Sequence, residues 1–268
     1  MLRTRLLTVI IFIPVMVGFV ALGGWPFTLF VAFLMAVAGW EFWRMFHQNG
    51  YSPSFFLTIA GIAGIIILRT AFGFQYSDVL LAFLVLAAMT MHVIQYERGS
   101  ETSTFDFCIT LGGILYLGWL GGYIVSLRNL PDGLWWLMTA IPSIGLADSA
   151  AFFVGRRIGR HKMVPRVSPK KSWEGYIGGV IIGTLGTVLI AALWNLCSPA
   201  VTPARGLVLG FVLTVLCPLG DLGESMIKRQ FNIKDTSNFL PGHGGIMDRF
   251  DSWLWAAAIS YYLITWLW

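Results

Sequence analysis

Residues 175–196 read GYIGGVIIGTLGTVLIAALWNL, without one charged side chain. At a rise of 1.5 Å per residue, such a run forms a helix of about 33 Å, enough to cross a hydrocarbon core of about 30 Å. Strands could cross a bilayer only as a closed barrel, which would show short alternating segments instead. Within the run, Gly175, Gly179 and Gly183 lie four apart on one helix face, where a second backbone can approach closely. This stretch predicts a transmembrane helix packed through its glycines.

Similar apolar runs recur at roughly 6–24, 26–43, 54–73, 78–96, 105–126, 134–155, 205–223 and 252–268, giving nine predicted spans. A content of 57% hydrophobic and 12% charged residues excludes an ordinary soluble domain. The expected class is all-α, a polytopic integral membrane protein with about nine transmembrane helices. The first run follows a basic start like a signal peptide, but its length and the eight runs after it favour a retained helix.

Charge placement fixes the expected topology. Putting the N-terminus and the loop Arg156–Lys171 on one face gathers 15 of the 18 Lys and Arg there; Arg69, Arg128 and Arg205 fall outside. That positive-inside bias predicts a cytoplasmic N-terminus and, with nine spans, a C-terminus on the opposite side. It also accounts for the basic balance through anionic membrane lipids, with no nucleic acid partner. The organisation expected is a single membrane domain over 1–268. Residues 1–130 are apolar helices, and 131–268 form a catalytic half with cytoplasmic loops 156–174 and 224–251. Glu41, Arg44 and His47 read as an interfacial helix end. Cys108, Cys197 and Cys217 read as packing residues. Gly118 and Gly122 repeat the small-residue face in the fifth span, for intramolecular packing or, as the alternative, a homodimer.

Chemistry concentrates late in the chain. Ser225–Asp251, SMIKRQFNIKDTSNFLPGHGGIMDRFD, holds seven charged side chains and a histidine between two apolar runs, with Asp221 and Glu224 just upstream. An unpaired charge at the bilayer centre costs roughly 2.5–3.5 kcal/mol on insertion scales, so such groups need partners or water. Asp148 lies roughly 12 Å and Asp221 roughly 10 Å below the basic face, by helical rise. Asp221, Glu224, Ser225 and Lys228 form one polar stripe. Pro142 and Pro218 precede the two aspartates and free helix carbonyls nearby. In SPKKSWEG, Ser168, Lys170, Lys171, Ser172 and Glu174 make a shaped basic segment, with Ser172 a helix N-cap and the lysines facing a polyphosphate. Asp221 and Asp248, on different helices, are expected to ligate one or two Mg²⁺ ions, because the candidate donors are hard oxygens.

The residues Ser225, Lys228, Arg229, Lys234, Asp235, Ser237, Leu240, Pro241, His243, Gly244, Gly245, Asp248, Arg249 and Asp251 occupy every fixed position of a C-terminal motif, and the chain here resembles the phosphatidate cytidylyltransferase family. The segments DSAAFFVGRRIGRHK and SPKKSWEG resemble it too. The resemblance implies Mg²⁺-dependent transfer of CMP from CTP to phosphatidic acid, giving CDP-diacylglycerol and pyrophosphate at the cytoplasmic face of a cell membrane, a bacterial inner membrane by expectation. It implies catalytic roles for Asp148, Asp221, Lys228, His243, Asp248, Arg249 and Asp251. Substrate contacts follow for Ser168, Lys170, Lys171, Ser172, Glu174, Glu224, Ser225, Arg229, Lys234, Asp235, Gly244 and Gly245. An ion pathway through Asp148, Asp221 and Glu224 is the rival reading, and it leaves both motifs without a purpose. A CDP-alcohol phosphotransferase is disfavoured because the only Asp-Gly, Asp132-Gly133, leads into LWW.

Overall fold

A computed structural model describes residues 2–240, 242 and 244–268, with side chains from Ile10 onward. Helical stretches coincide with all nine apolar runs. Seven of them are long and apolar enough to cross a membrane by length and composition; the others are α1, apolar over Ile10–Leu22, and the last helix. Two compact units divide the chain: Met1–Asn129 with Asp235–Arg249, and Leu130–Lys234 with Phe250–Trp268.

The first unit contains α1 (Leu2–Leu22), α2 (Gly24–His47), α3 (Phe55–Phe72), α4 (Ser77–Glu97), α5 (Ser103–Gly113) and α6 (Leu120–Arg128). A π-helical segment, Ile114–Trp119, joins α5 to α6 into one pass. Ile65, Leu84 and Ile114 form a core that Leu57, Leu80 and Trp119 extend. The glycine face of this pass is used inside the chain. A β-carbon on Gly118 would stand 2.9 Å from Cα of Ile62, so α3 could not approach any larger residue so closely. The link between α2 and α3 is tied to α5. The Ser52 amide donates to Asp106 (2.7 Å), and the Ser54 amide donates to Thr110 (2.9 Å).

The second unit contains α7 (Gly133–Ile158), β1 (Lys162–Val164), β2 (Ser168–Ser172), α8 (Trp173–Trp194), α9 (Pro203–Leu216), α10 (Pro218–Gln230) and the larger part of α11 (Met247–Leu267). The Gly175, Gly179 and Gly183 face meets α7. A β-carbon there would stand 2.7 Å from the Ala151 carbonyl, 2.9 Å from the Ala147 carbonyl and 2.6 Å from the Ala147 β-carbon. The two prolines act differently. α7 runs unbroken through Pro142, and the Met138 carbonyl that Pro142 cannot serve accepts from the Trp194 indole at 3.3 Å. The chain breaks before Pro218, as expected, and the Val215 carbonyl at that break accepts from the Tyr176 hydroxyl at 2.9 Å.

Two loop boundaries also move. The predicted loop 224–251 is helical over 224–230 and 247–251, leaving 231–246 between helices. Inside 156–174 lies an antiparallel hairpin, pairing Lys162 with Ser172 and Val164 with Ser168. Its turn has Pro165 at the second position, and the Val167 amide donates to the Val164 carbonyl. A proline in each of 164–167 and 168–172 masked this hairpin in the sequence. Two-stranded ribbons have only edges, where Pro169 is tolerated. Among the cysteines, only Cys217 is buried; Cys108 is exposed on α5 and Cys197 in the turn after α8. Packing explains the first and not the other two.

Candidate functional site

In the second unit, helix α10 begins at Pro218, which fixes the first-turn backbone and puts Asp221 in that turn. Asp221 Oδ2 meets Lys171 Nζ at 2.6 Å, with each side chain about a third exposed, and Asp221 Oδ1 accepts from Ser225 Oγ at 3.2 Å. One turn on, Glu224 is fully buried and pairs with Lys228 at 3.3 Å, the i,i+4 spacing that aligns side chains on a helix. Asp251 completes the group, lying within electrostatic reach of Asp221, Glu224 and Lys228. Gly220 permits this approach, since a β-carbon there would stand 2.6 Å from the Asp251 carbonyl and 2.7 Å from the Trp255 ring. Asp221, Glu224 and Asp251 thus lie near one another, with Lys171 and Lys228 among them.

The hairpin presents the SPKK residues. Lys171 turns toward Asp221, while its strand neighbour Lys170 is exposed. Ser168 is half-buried on the same strand. Ser172 is the N-cap of α8, accepting from the Gly175 amide at 3.2 Å. Glu174 closes the hairpin: its carboxylate accepts from the Arg160 and His161 amides and meets His161 Nδ1 at 2.5 Å. Arg229 donates to the Val167 carbonyl at 3.3 Å and the Ile233 carbonyl at 2.7 Å, tying the hairpin turn to the end of α10. Lys234 is exposed beyond it, and Asp148 is exposed on α7, close enough to Cys217 to act on it electrostatically.

In the first unit, the described residues of 235–246 and the start of α11 are arranged around a carboxylate. Asp248 is 6% exposed, and its Oδ2 accepts from the Gly245 amide (2.7 Å), the Thr236 amide (3.0 Å) and the Thr236 hydroxyl (3.1 Å). The Leu240 amide donates to the Gly244 carbonyl at 2.9 Å, and Gly244 has φ +84°, a left-handed conformation that favours glycine. Asp235 and Arg249 are exposed on this loop. His243 lies outside the described residues.

A residue that the sequence reading misassigned holds the loop from beneath. Glu41 is fully buried on α2 instead of marking an interfacial helix end. Its Oε1 accepts from Ser237 Oγ (2.5 Å) and the Ile246 amide (3.0 Å), and its Oε2 accepts from the Met247 amide (2.7 Å) and Thr236 Oγ1 (3.3 Å). The available signal was a lone carboxylate inside an apolar run, which demands a partner. Which partner it would find lay about 200 residues away.

Carboxylate oxygens dominate both places, and these are the hard donors that Mg²⁺ takes. Among the described residues, no three His, Cys, Asp or Glu side chains converge as a ready-made cage.

A family model for the cytidylyltransferase family matches residues 3–267, and the chain belongs to that family. Among its relatives, a phosphatidate cytidylyltransferase of Bacillus subtilis is 33% identical, over 98% of this chain and 97% of its own length. One from Staphylococcus haemolyticus is 32% identical over 98% of both chains. One from Brucella suis is 31% identical over 97% of this chain and 92% of its own.

Proposed function

We propose that this membrane enzyme transfers CMP from CTP to phosphatidic acid, releasing CDP-diacylglycerol and pyrophosphate. The observation that carries the reading is the Lys171–Asp221 pair beside Glu224, Lys228 and Asp251. It sets a phosphate-binding cation against carboxylates at the end of an apolar helix, where a lipid phosphate lies. Full-length relatives bearing that enzyme name support the substrate assignment.

In this reaction an oxygen of the phosphatidate phosphate attacks the α-phosphorus of CTP. A new P–O bond forms as the bond from the α-phosphorus to the bridging oxygen breaks, and pyrophosphate leaves with that oxygen and its electron pair. The attacking phosphate is already ionised near neutral pH, so positioning and charge neutralisation matter more than a strong base. Lys171 can leave Asp221 for a phosphate oxygen when nucleotide arrives, and Lys170 on the exposed strand face adds a second cation. Lys228, Lys234 and Arg249 supply further charge; Arg229 fixes the hairpin that carries the two lysines. The carboxylates of Asp221 and Asp248 would each offer hard oxygens to Mg²⁺, which would supply positive charge against that developing on the phosphates. The catalytic face is the cytoplasmic one in this proposal, since the basic residues gather there and CTP comes from that side.

Radiolabelled CTP tests the proposal directly. Label should enter a chloroform-soluble product only when phosphatidate and Mg²⁺ are both supplied. Incorporation without phosphatidate, or none with it, would overturn the reading.

A further inference from the structure

Four hydrogen bonds converge on Glu41, from Thr236 and Ser237 in the loop before α11 and from Ile246 and Met247 at its start. Each carboxylate oxygen accepts one main-chain amide and one hydroxyl. The two amides, of Ile246 and Met247, stand at the start of α11 (Met247–Leu267). The first amides of a helix have no partner within it and carry the positive end of its dipole. Glu41 therefore serves as a helix cap delivered by a different helix, α2, instead of by the residue preceding α11. The fit leaves no room for a side chain at position 245, where a β-carbon would stand 2.6 Å from both Glu41 oxygens. A carboxylate sequestered within an apolar helix is costly, and four donors from one short segment offset that cost.

The residues this cap organises are those the proposed reaction uses. Asp248 is the second residue of α11 and Arg249 the third, so their direction follows from where the helix begins. We propose that Glu41 is a positioning residue for nucleotidyl transfer, setting the start of α11 and the loop before it so that Asp248 and Arg249 meet the nucleotide in one fixed orientation. The inference rests on the proposed CTP-dependent reaction, but its structural half stands apart from it.

The test uses the full-length protein in detergent, comparing Glu41→Ala, Glu41→Gln and Glu41→Asp with the parent. Hydrogen exchange is followed in peptides covering 239–250 and, as a reference, in α3 and α8. Aspartate keeps two acceptor oxygens and only shortens the reach. Glutamine keeps one acceptor and turns an NH₂ against an amide donor. The expected result is faster exchange confined to 239–250 in the Ala and Gln variants, with Asp intermediate. In the same variants kcat should fall about tenfold or more while the KM for CTP stays within about threefold, as loss of transition-state positioning requires. Unchanged exchange at 239–250 in folded Ala and Gln variants would overturn the inference. So would exchange rising equally through α3 and α8 in all three variants, which would make Glu41 a support of the whole fold. If the parent protein turns over no CTP, the proposed reaction fails, and the exchange arm still decides whether Glu41 sets the loop.

Discussion

Lys171 and Asp221, fifty positions apart in the sequence, meet at 2.6 Å as an ion pair with each side chain about a third exposed. Exposed pairs contribute little to stability, with a median of about 0–1 kcal/mol, so this one is easily opened. A lysine held by a carboxylate is a cation kept in place until a phosphate competes for it. The arrangement links the SPKK hairpin to α10 within one unit, and the predictions below follow from it and from the packing around it.

Asp221→Asn should leave the protein folded, since the pair is weak, while removing both the Lys171 partner and a proposed Mg²⁺ ligand. Activity should drop by about 10²–10³, the usual scale for losing one organised electrostatic contact. Its Mg²⁺ dependence should shift to higher concentration. Asp248→Asn should do the same and in addition loosen the loop, because Oδ2 of Asp248 accepts three hydrogen bonds there. Near-normal turnover at ordinary Mg²⁺ in both variants would remove the metal assignment.

Alanine at Lys170, Lys171, Lys228, Arg229, Lys234 and Arg249 separates a polyphosphate site from a lipid-facing surface. A site predicts that at least two of the six raise the KM for CTP or lower kcat strongly, Lys171 among them. Arg229→Ala should act by releasing the hairpin turn at Val167, so its loss should be accompanied by faster proteolysis within 160–172. Uniformly mild kinetic effects with altered membrane affinity would favour the lipid surface.

Gly179→Ala and Gly145→Ala should differ in sign. The first places a methyl 2.9 Å from the Ala147 carbonyl, whereas nothing lies within 4 Å of the second. Overpacking of this kind typically costs about 1–3 kcal/mol, while alanine at an open helix position is neutral or stabilising. Thermal unfolding in detergent reads the difference. Equal melting temperatures would show that α7 and α8 can separate at no cost.

Topology is tested by an impermeant maleimide in a background lacking Cys108, Cys197 and Cys217. A cysteine appended after Trp268 should label in intact cells, and one replacing Asn238 should label only after permeabilisation. Labelling at position 238 from outside would overturn the positive-inside assignment and the proposed cytoplasmic site together.

Hydropathy alone located the helical passes, because a backbone in hydrocarbon must satisfy its own hydrogen bonds and helices do so locally. The glycine spacing at 175, 179 and 183 was likewise legible, since helical period maps four-residue steps onto one face. So was the Ser172 cap, whose bond spans three residues. Asp221, Glu224 and Lys228 could be placed on one stripe for the same reason. What only the tertiary structure decided were the partners at long range. Lys171 opposite Asp221, the Trp194 indole on the carbonyl that Pro142 vacates, and Glu41 beneath a loop about 200 residues later have no periodic trace in the sequence. A sequence states that a buried charge must be satisfied; which donors satisfy it is settled by packing.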